Sequence, residues 1–441
     1  MSEIPKTSLR RSARLAAVPI SAAGRAALGA GQRLTGKSAA DVAANIQARN
    51  AQQVFEVLGQ LKGAALKFGQ ALSILESALP AELVAPYRES LTKLQNAAPP
   101  LSAQAVHQQL TDALGHEWRE RFAEFNDVPA AAASLGQVHK AKWRDGRDVA
   151  VKVQYPGVAA AVKSDLSQIQ RFGRMLGAVA PGLDVKSLLA EVSERMKDEL
   201  DYIRESQNQR AFAAAYEGDA EVFVPHVLAA APTVLITEWV DATPLSQVIS
   251  HGSQAERDAA GTKYLTFLLS SAGRVGMLHA DPHPGNYHIA PDGRLVVLDF
   301  GAVAQLPEGL PSAMGKVLRI AMQGDAGQVL EGLRSEGFVR QGIDVDPQSL
   351  LDYLAPFCEP AGPEHFHFTR EWMREQFSRI NDPRNPDFSI GLKINLPASY
   401  VLIHRVWLGG IGVLCQLNAT IAARQMFVDY VPGFTETEAA A

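Results

Sequence analysis

His279-Ala-Asp281-Pro-His283-Pro-Gly-Asn286, followed by Asp299-Phe300-Gly301, is the stretch that most restricts the folds open to this chain. Asp281 and Asn286 are five residues apart, and Asn286 and Asp299 thirteen. The second interval holds a turn and a short hairpin, "HIAPDGRLVVLDF", with Asp292-Gly293 as its tight turn. A fold that uses these residues together must bring a turn aspartate, an asparagine and a strand-end aspartate to one point. That is the arrangement of a phosphoryl-transfer centre, in which one aspartate orients or deprotonates the acceptor while the asparagine and the second aspartate hold Mg²⁺ against the phosphates. Asp281 is therefore the catalytic candidate and Asn286 and Asp299 are the metal candidates, with a nucleotide as the expected ligand. Each triplet alone arises often by chance; the ordered set does not.

At 441 residues, 47% of them hydrophobic and 20% charged, the chain is long enough for two or three soluble domains with a large core. A net charge of -5 argues against nucleic acid as a bulk partner, although residues 1–40 carry seven Lys/Arg against one Glu. That arm is Arg-, Ser- and Ala-rich, which fits a transit peptide, a basic helix on an anionic surface, or a solvated arm. Cys358 and Cys415 are far apart and form no CxxC pair, so a disulfide framework or a cysteine zinc site is not expected. The most apolar window, Val401 to Leu417, contains His404 and Arg405 and is Gly-rich, so no transmembrane segment is expected. The expected location is cytoplasmic, with peripheral membrane contact through the basic arm as an extension of it.

Along the chain, 1–44 reads as the basic arm and 45–115 as a helical extension. In the extension Val54, Leu58, Leu61, Ala65, Phe68 and Leu72 recur at three- and four-residue steps, and Ser102 to Leu114 gives a short final helix. Strand signals fill 116–240: Val128, "SLGQVHKAKW", Asp148 to Gln154 after a turn at Gly146, then "VFVPHVL" and "TVLITEWV" beyond a helix ending near Ala215. Five strands with one helix make a kinase-like small lobe. Residues 241–433 are mostly helical around the catalytic turn, and 434–441 is a polar tail. The fold class is α+β and two-lobed.

Lys152 is fourth in Val-Ala-Val-Lys, on a strand from which an ammonium reaches nucleotide phosphates while a helix glutamate holds it. Glu205 is the candidate partner, with Glu191, Glu194 and Glu199 competing for the role. Upstream, where a glycine-rich phosphate loop is expected, stands Pro129-Ala-Ala131-Ala132-Ala133-Ser134-Leu-Gly136. An alanine Cβ resists the positive φ that glycine adopts, so this loop is expected to be stiffer and to hold the triphosphate differently. An Ala-rich helix start with Ser134 as its cap is the competing reading. Ala131, Ala132, Ala133, Ser134 and Lys152 are nucleotide-contact candidates, as are Glu238 and Val240 at the far end of the last small-lobe strand.

With Lys67-Phe-Gly69-Gln70, the alanine loop, Val-Ala-Val-Lys152, Glu199-Leu-Asp201-Tyr, the catalytic turn and Asp-Phe-Gly in register, residues 45–305 resemble the UbiB (AarF) family of atypical kinases. The resemblance implies a two-lobed protein-kinase-like fold whose N-terminal extension lies over the active-site cleft. By the same resemblance Lys67 enters the cleft and pairs with Glu199 and Asp201, Gln70 of the same motif is regulatory with them, and Glu205 is the partner of Lys152. A buried lysine in such a cleft needs carboxylates to offset its desolvation. The implied ligands are ATP or ADP with Mg²⁺. An extension in the peptide position disfavours phosphotransfer to proteins and favours slow ATP hydrolysis or action on a lipid-like small molecule. The family context implies isoprenoid-quinone (ubiquinone) or lipid metabolism and quinone-biosynthesis enzymes as partners. The chain departs from some bacterial relatives in having no hydrophobic C-terminal anchor, and no Ala-Pro-Glu follows Asp299.

The alternatives are a small-molecule phosphotransferase of the aminoglycoside or choline kinase type, whose turn is similar, and a nucleotide-gated scaffold without turnover. His365 and His367 read as structural rather than metal-binding, His279 as a scaffold for the turn, and His283 as a contact either to phosphate or to the turn alone. Arg405 and Trp407 read as core packing.

Overall fold

The computed structural model describes residues 101–133, 135–160, 200–381, 385–391 and 393–435. Lys67, Gln70, Ser134 and Glu199 lie outside them, as do the basic arm and most of the helical extension.

The small lobe is an antiparallel sheet built on alternation. Its strands are β1 (Phe122–Phe125), β2 (Ala131–Ala133), β3 (Gly136–Trp143), β4 (Asp148–Gln154), β6 (Val227–Ala231) and β7 (Val234–Glu238), in the order β1-β3-β4-β7-β6 with β2 paired to β3. In β4, Val149, Val151 and Val153 are fully buried on one face. The period of two therefore turns Lys152 to the other face. Helix α1 (Ala103–Leu114) closes the valine face through Val106 and Leu110, and its N-terminus is capped by the Ser102 side chain, which accepts from the Ala105 N–H. The helix that the sequence groups with the extension thus completes the small-lobe core. A buried chain of hydrogen bonds secures its entry: Leu101 N–H donates to Gln137 Oε1 at 2.8 Å, the Gln137 amide meets His139 Nε2 at 2.8 Å, and His139 Nδ1 meets Asn126 O at 2.8 Å.

Two segments depart from expectation. Val128 is 69% exposed and lies outside the strands, because β1 ends at Phe125 and the chain turns there with Val128 N–H donating to Asn126 Oδ1. "VFVPHVL" is two strands rather than one, since Pro225 interrupts pairing. Its first part, β5 (Val222–Phe223), joins the other lobe, while β6 stays in the small lobe. The alanine stretch is strand, with Ala131 opposite Val138 and Ala133 opposite Gly136.

The large-lobe sheet has the order β5-β11-β10-β8, with β8 (Thr243–Pro244), β10 (Tyr287–Ile289) and β11 (Leu295–Val297). The expected hairpin is β10–β11: Tyr287 faces Val297, Ile289 faces Leu295, and Gly293 takes φ +88° in the turn. Beside it β9 (Met277–His279) pairs with β12 (Val303–Gln305). Helix α2 (Tyr202–Ala215) runs between the lobes, α3 (Leu245–His251) follows β8, and α4 (Gln254–Val275) is the central helix. A capping box of Ser253 and Glu256 starts α4 and Gly276 at φ +69° ends it. Tyr264, Phe267 and Leu268 of α4 pack into one core with Phe212, Leu278, Tyr287 and Phe300. Helices α10 (Val401–Leu417) and α11 (Ala423–Tyr430) pack on α4 in the same core, and around it lie α5 (Ser312–Met322), α6 (Ala326–Ser335), α7 (Pro347–Cys358), α8 (Arg370–Asn381) and α9 (Pro386–Gly391). Among the described residues no helix is long and apolar enough to cross a membrane.

Candidate active site

Lys152 leaves β4 toward α2, where its Nζ is 2.7 and 3.0 Å from the two carboxylate oxygens of Glu205 and 3.2 Å from Asp299 Oδ2. Of the four glutamates in competition, Glu205 is the one on the described part of this helix, and its side chain is 2% exposed. The Tyr202 ring, one turn earlier on α2, lies 5.0 Å from the ammonium. Burial by itself would lower the lysine's pKa; the Asp299 and Glu205 carboxylates outweigh it and hold Lys152 well above its ordinary value. Lys152 is a fixed cation under all physiological conditions.

The Asp281–Asn286 turn and the Asp299–Gly301 segment are held from behind by His279, Tyr287, Tyr264 and Asn208. His279 is fully buried, and its Nε2 meets the carbonyl oxygen of Asp299 while its Nδ1 is 3.0 Å from the Tyr287 hydroxyl. With Nε2–H donating to the carbonyl, Nδ1 accepts from Tyr287 O–H. One imidazole therefore links the two ends of the hairpin. Asp281 is 4% exposed, and its carbonyl accepts from Asn286 Nδ2 at 3.3 Å and lies 3.4 Å from Tyr287 Oη. Tyr264 of α4 donates to Pro282 O at 2.6 Å, and Asn208 of α2 donates to Phe300 O at 3.1 Å. Burial drives the Tyr264 and Tyr287 hydroxyls far up in pKa, followed by Asp281 for Tyr264 and by Tyr264 and then Asp281 for Tyr287, so both stay neutral donors. His283 accepts from Gly285 N–H through Nδ1 at 3.1 Å, so it shapes the turn.

Asn286 and Asp299 are drawn together by the Leu298 N–H, which donates to Asn286 O at 3.0 Å. Since the Asn286 amide nitrogen is committed to Asp281 O, its amide oxygen is the group left for a ligand. One Asp299 oxygen accepts from Gly301 N–H and the other faces Lys152. A carboxylate and an amide oxygen are hard donors that suit Mg²⁺, which takes its remaining ligands from phosphates and water. The donor set fits the metal. Among the described residues no group of three His, Cys, Asp or Glu forms an all-protein metal cage, His365 and His367 included.

The other candidates are placed as follows. Ala131, Ala132 and Ala133 form β2, next to the hairpin tip that leads back into β3 at Gly136. A Cβ on Gly136 would sit 2.3 Å from Val153 O and 3.1 Å from Tyr202 Oη, so close packing over β4 requires this glycine. Glu238 turns aside: its carboxylate accepts from His226 N–H and its own N–H donates to His226 O, both at 3.0 Å, so its carbonyl and the backbone of half-buried Val240 are the groups that reach the lobe junction. Asp201 caps α2, accepting from Arg204 N–H at 3.0 Å. The pairing of Lys67 with Glu199 and Asp201 lies outside the described residues. Sequence reasoning missed Asn208, Tyr264 and Tyr287. Asn208 follows Glu205 by three residues, one helical turn, which puts both on one face, and Tyr287 directly follows Asn286.

Comparison with known proteins agrees with this geometry. The ABC1 atypical kinase-like domain matches residues 93–333. "Atypical kinase coq-8, mitochondrial" of Caenorhabditis elegans is 33% identical over 298 residues, 66% of this chain and 39% of the relative. "Protein ACTIVITY OF BC1 COMPLEX KINASE 3, chloroplastic" of Arabidopsis thaliana is 33% identical over 67% of this chain and 42% of the relative. The chain thus spans less than half the length of these two relatives. A solved structure of the Rv3197–erythromycin complex from Mycobacterium tuberculosis is 42% identical, covers 91% of this chain and 100% of its own, and superposes with a TM-score of 0.71. The chain belongs to the ABC1 family of kinase-like proteins, the UbiB or COQ8 type of atypical kinase.

Proposed function

We propose that the protein binds ATP with Mg²⁺ and acts as a slow atypical kinase or ATPase in isoprenoid-quinone or lipid metabolism. The observation that carries this reading is the convergence of Lys152, Glu205 and Asp299 beside the Asp281–Asn286 turn. Lys152 would contact the α and β phosphates, Asn286 and Asp299 would hold Mg²⁺, and Asp281 would orient or deprotonate the acceptor hydroxyl. The metal, when bound, supplies neutralisation of phosphate charge. The β2–β3 tip would cover the phosphates with a stiffer loop than a glycine-rich one, and the backbone at Glu238 and Val240 would face the base. The quinone context and the disfavoured transfer to proteins rest on the family resemblance and on Lys67. Peripheral membrane contact through residues 1–44 belongs to the same reading, as does a cytoplasmic location; the relatives named above carry the words mitochondrial and chloroplastic.

The test is ATP hydrolysis and Mg²⁺-nucleotide thermal shift, with and without anionic liposomes, on wild type, Asp299→Asn and Lys67→Arg. Turnover lost in Asp299→Asn, with a changed phosphotransfer profile in Lys67→Arg, supports the reading. No nucleotide effect on wild type would sink it, and stabilisation without turnover would mean a nucleotide-gated scaffold. A second reading, phosphotransfer to a small-molecule hydroxyl, is favoured by the erythromycin complex of the mycobacterial relative. A phosphorylated macrolide after incubation with ATP, seen by mass spectrometry, would support it.

A further inference from the structure

Away from the nucleotide cleft, helices α5, α6, α7 and α10 line most of an open-mouthed cavity of about 380 Å³ in the large lobe. None of Lys152, Asp281, Asn286 and Asp299 lines it. The sequence makes room for it. Ala313, Val317 and Ala321 recur every four residues and present a shallow face of α5, and Gly391 adds no side chain at the opposite wall. Leu333, Leu354, Phe357 and Trp407 are among the apolar residues of the other walls. This volume lies within the range of small-molecule sites, which combine apolar walls with a few placed polar groups.

Polar groups meet at one end of the cavity, and Tyr353 adds a hydroxyl by Gly391. Tyr400 Oη donates to Glu336 Oε2 at 2.7 Å, and the Tyr400 ring packs 4.7 Å from Phe338, whose carbonyl accepts from Asn395 N–H at 2.7 Å. Glu336 brings a carboxylate to this end, and among the described residues lining the cavity there is no lysine or arginine. Burial lowers the pKa of His404, which therefore stays neutral and supplies no cation. Glu336 would repel an anionic ligand, whereas a hydroxyl or amine donor would find an acceptor there. We propose that this cavity is a second ligand site, taking one neutral small molecule with an apolar body and a hydroxyl or amine head directed at Glu336.

The probe is N-phenyl-1-naphthylamine, a neutral amine whose emission rises in apolar surroundings, titrated into the full-length protein. We expect saturable uptake at a single site with energy transfer from tryptophan that falls in Trp407→Phe. Ala321→Leu and Leu333→Phe add carbon to the cavity, so each should weaken uptake at least about tenfold while thermal stability holds or rises. The anionic analogue 1-anilinonaphthalene-8-sulfonate should bind at least about tenfold more weakly than the neutral dye. Should either filled variant fold poorly, N-phenylmaleimide labelling of Cys358, which lines the cavity, reports the same site in wild type, and saturating dye should slow it several-fold. Uptake that does not saturate, that survives in both filled variants, that prefers the anionic dye, or that leaves Cys358 labelling unchanged overturns the proposal.

Discussion

Lys152 Nζ and Glu205 Oε1 are 2.7 Å apart, and the glutamate is the more deeply buried of the two, 2% exposed against 16%. The pair is thus asymmetric: the lysine retains a path to ligand, while the carboxylate has no solvent to fall back on. Replacing Lys152 by Met should cost about 3–5 kcal/mol, because it strands a buried charge. In urea unfolding, Lys152→Met with Glu205→Leu should lose less than the sum of the two single changes. Additive losses would show that the pair is not coupled.

Asp299→Asn keeps an acceptor for the Gly301 N–H and a dipole near Lys152, so the fold should stand. Its effect belongs to the ligand. Mg²⁺-nucleotide should raise the melting temperature of wild type and leave that of Asp299→Asn unchanged, while the unliganded melting temperature shifts by a few degrees at most, a change of about 1 kcal/mol or less.

Removing His279 leaves the Asp299 carbonyl and the Tyr287 hydroxyl without their shared partner inside the core. His279→Ala should therefore cost about 3 kcal/mol or more, and Tyr287→Phe, which removes one donor and keeps the ring, about 1 kcal/mol. Equal losses in chemical denaturation would show that the imidazole does not join the two ends of the hairpin.

At the phosphate-loop position the glycine and the alanines should behave in opposite ways. Gly136→Ala drives a Cβ into Val153 O and should destabilise by about 1–3 kcal/mol. Ala132→Gly lies in exposed strand, should cost under about 1 kcal/mol, and should change nucleotide affinity more than stability. A melting-temperature series with nucleotide titrations separates the two.

His139 is buried, and desolvation, ahead of the opposing hydrogen bond to Asn126, lowers its pKa. A proton added at Nε2 would point at the Gln137 amide. The sign follows: when pH falls below about 6.5 the unfolded chain takes up the proton first, so stability is complete above that pH and declines below it. His288 and His404 are shifted the same way by burial. Urea midpoints should fall from pH 7 to pH 5, and His139→Gln should flatten the slope by up to about 1.4 kcal/mol per pH unit.

The grouping of the candidate site residues was legible because they sit at short, fixed intervals. Asp281, Asn286 and Asp299 are joined by one hairpin whose turn is written in Asp292-Gly293, and period two alone turns Lys152 away from Val151 and Val153. Glu205 was legible as a candidate only, since choosing it over Glu199 depends on where α2 begins. Tyr264 and Asn208 were hidden because each reaches the site from a helix across a tertiary contact, and a hydroxyl or amide in an apolar row carries no local mark. Val128 was misleading for the opposite reason: a β-branched residue near strands reads as strand, but the backbone turns at Asn126. "VFVPHVL" misled at Pro225, where composition is continuous and pairing is not.

That split segment determines how the lobes can move. β6 and β7 are neighbours in the small-lobe sheet, and each runs directly into an outer strand of the large-lobe sheet: β6 is preceded by β5 and β7 is followed by β8. One hairpin therefore stands on two feet, fixed at opposite edges of the four strands that carry the catalytic turn. Two attachment points define a line, so swivelling and sliding of one lobe over the other are resisted by both straps at once. The lobes are tied at two points rather than one, and β4, which carries Lys152, is paired with β7 beside that junction.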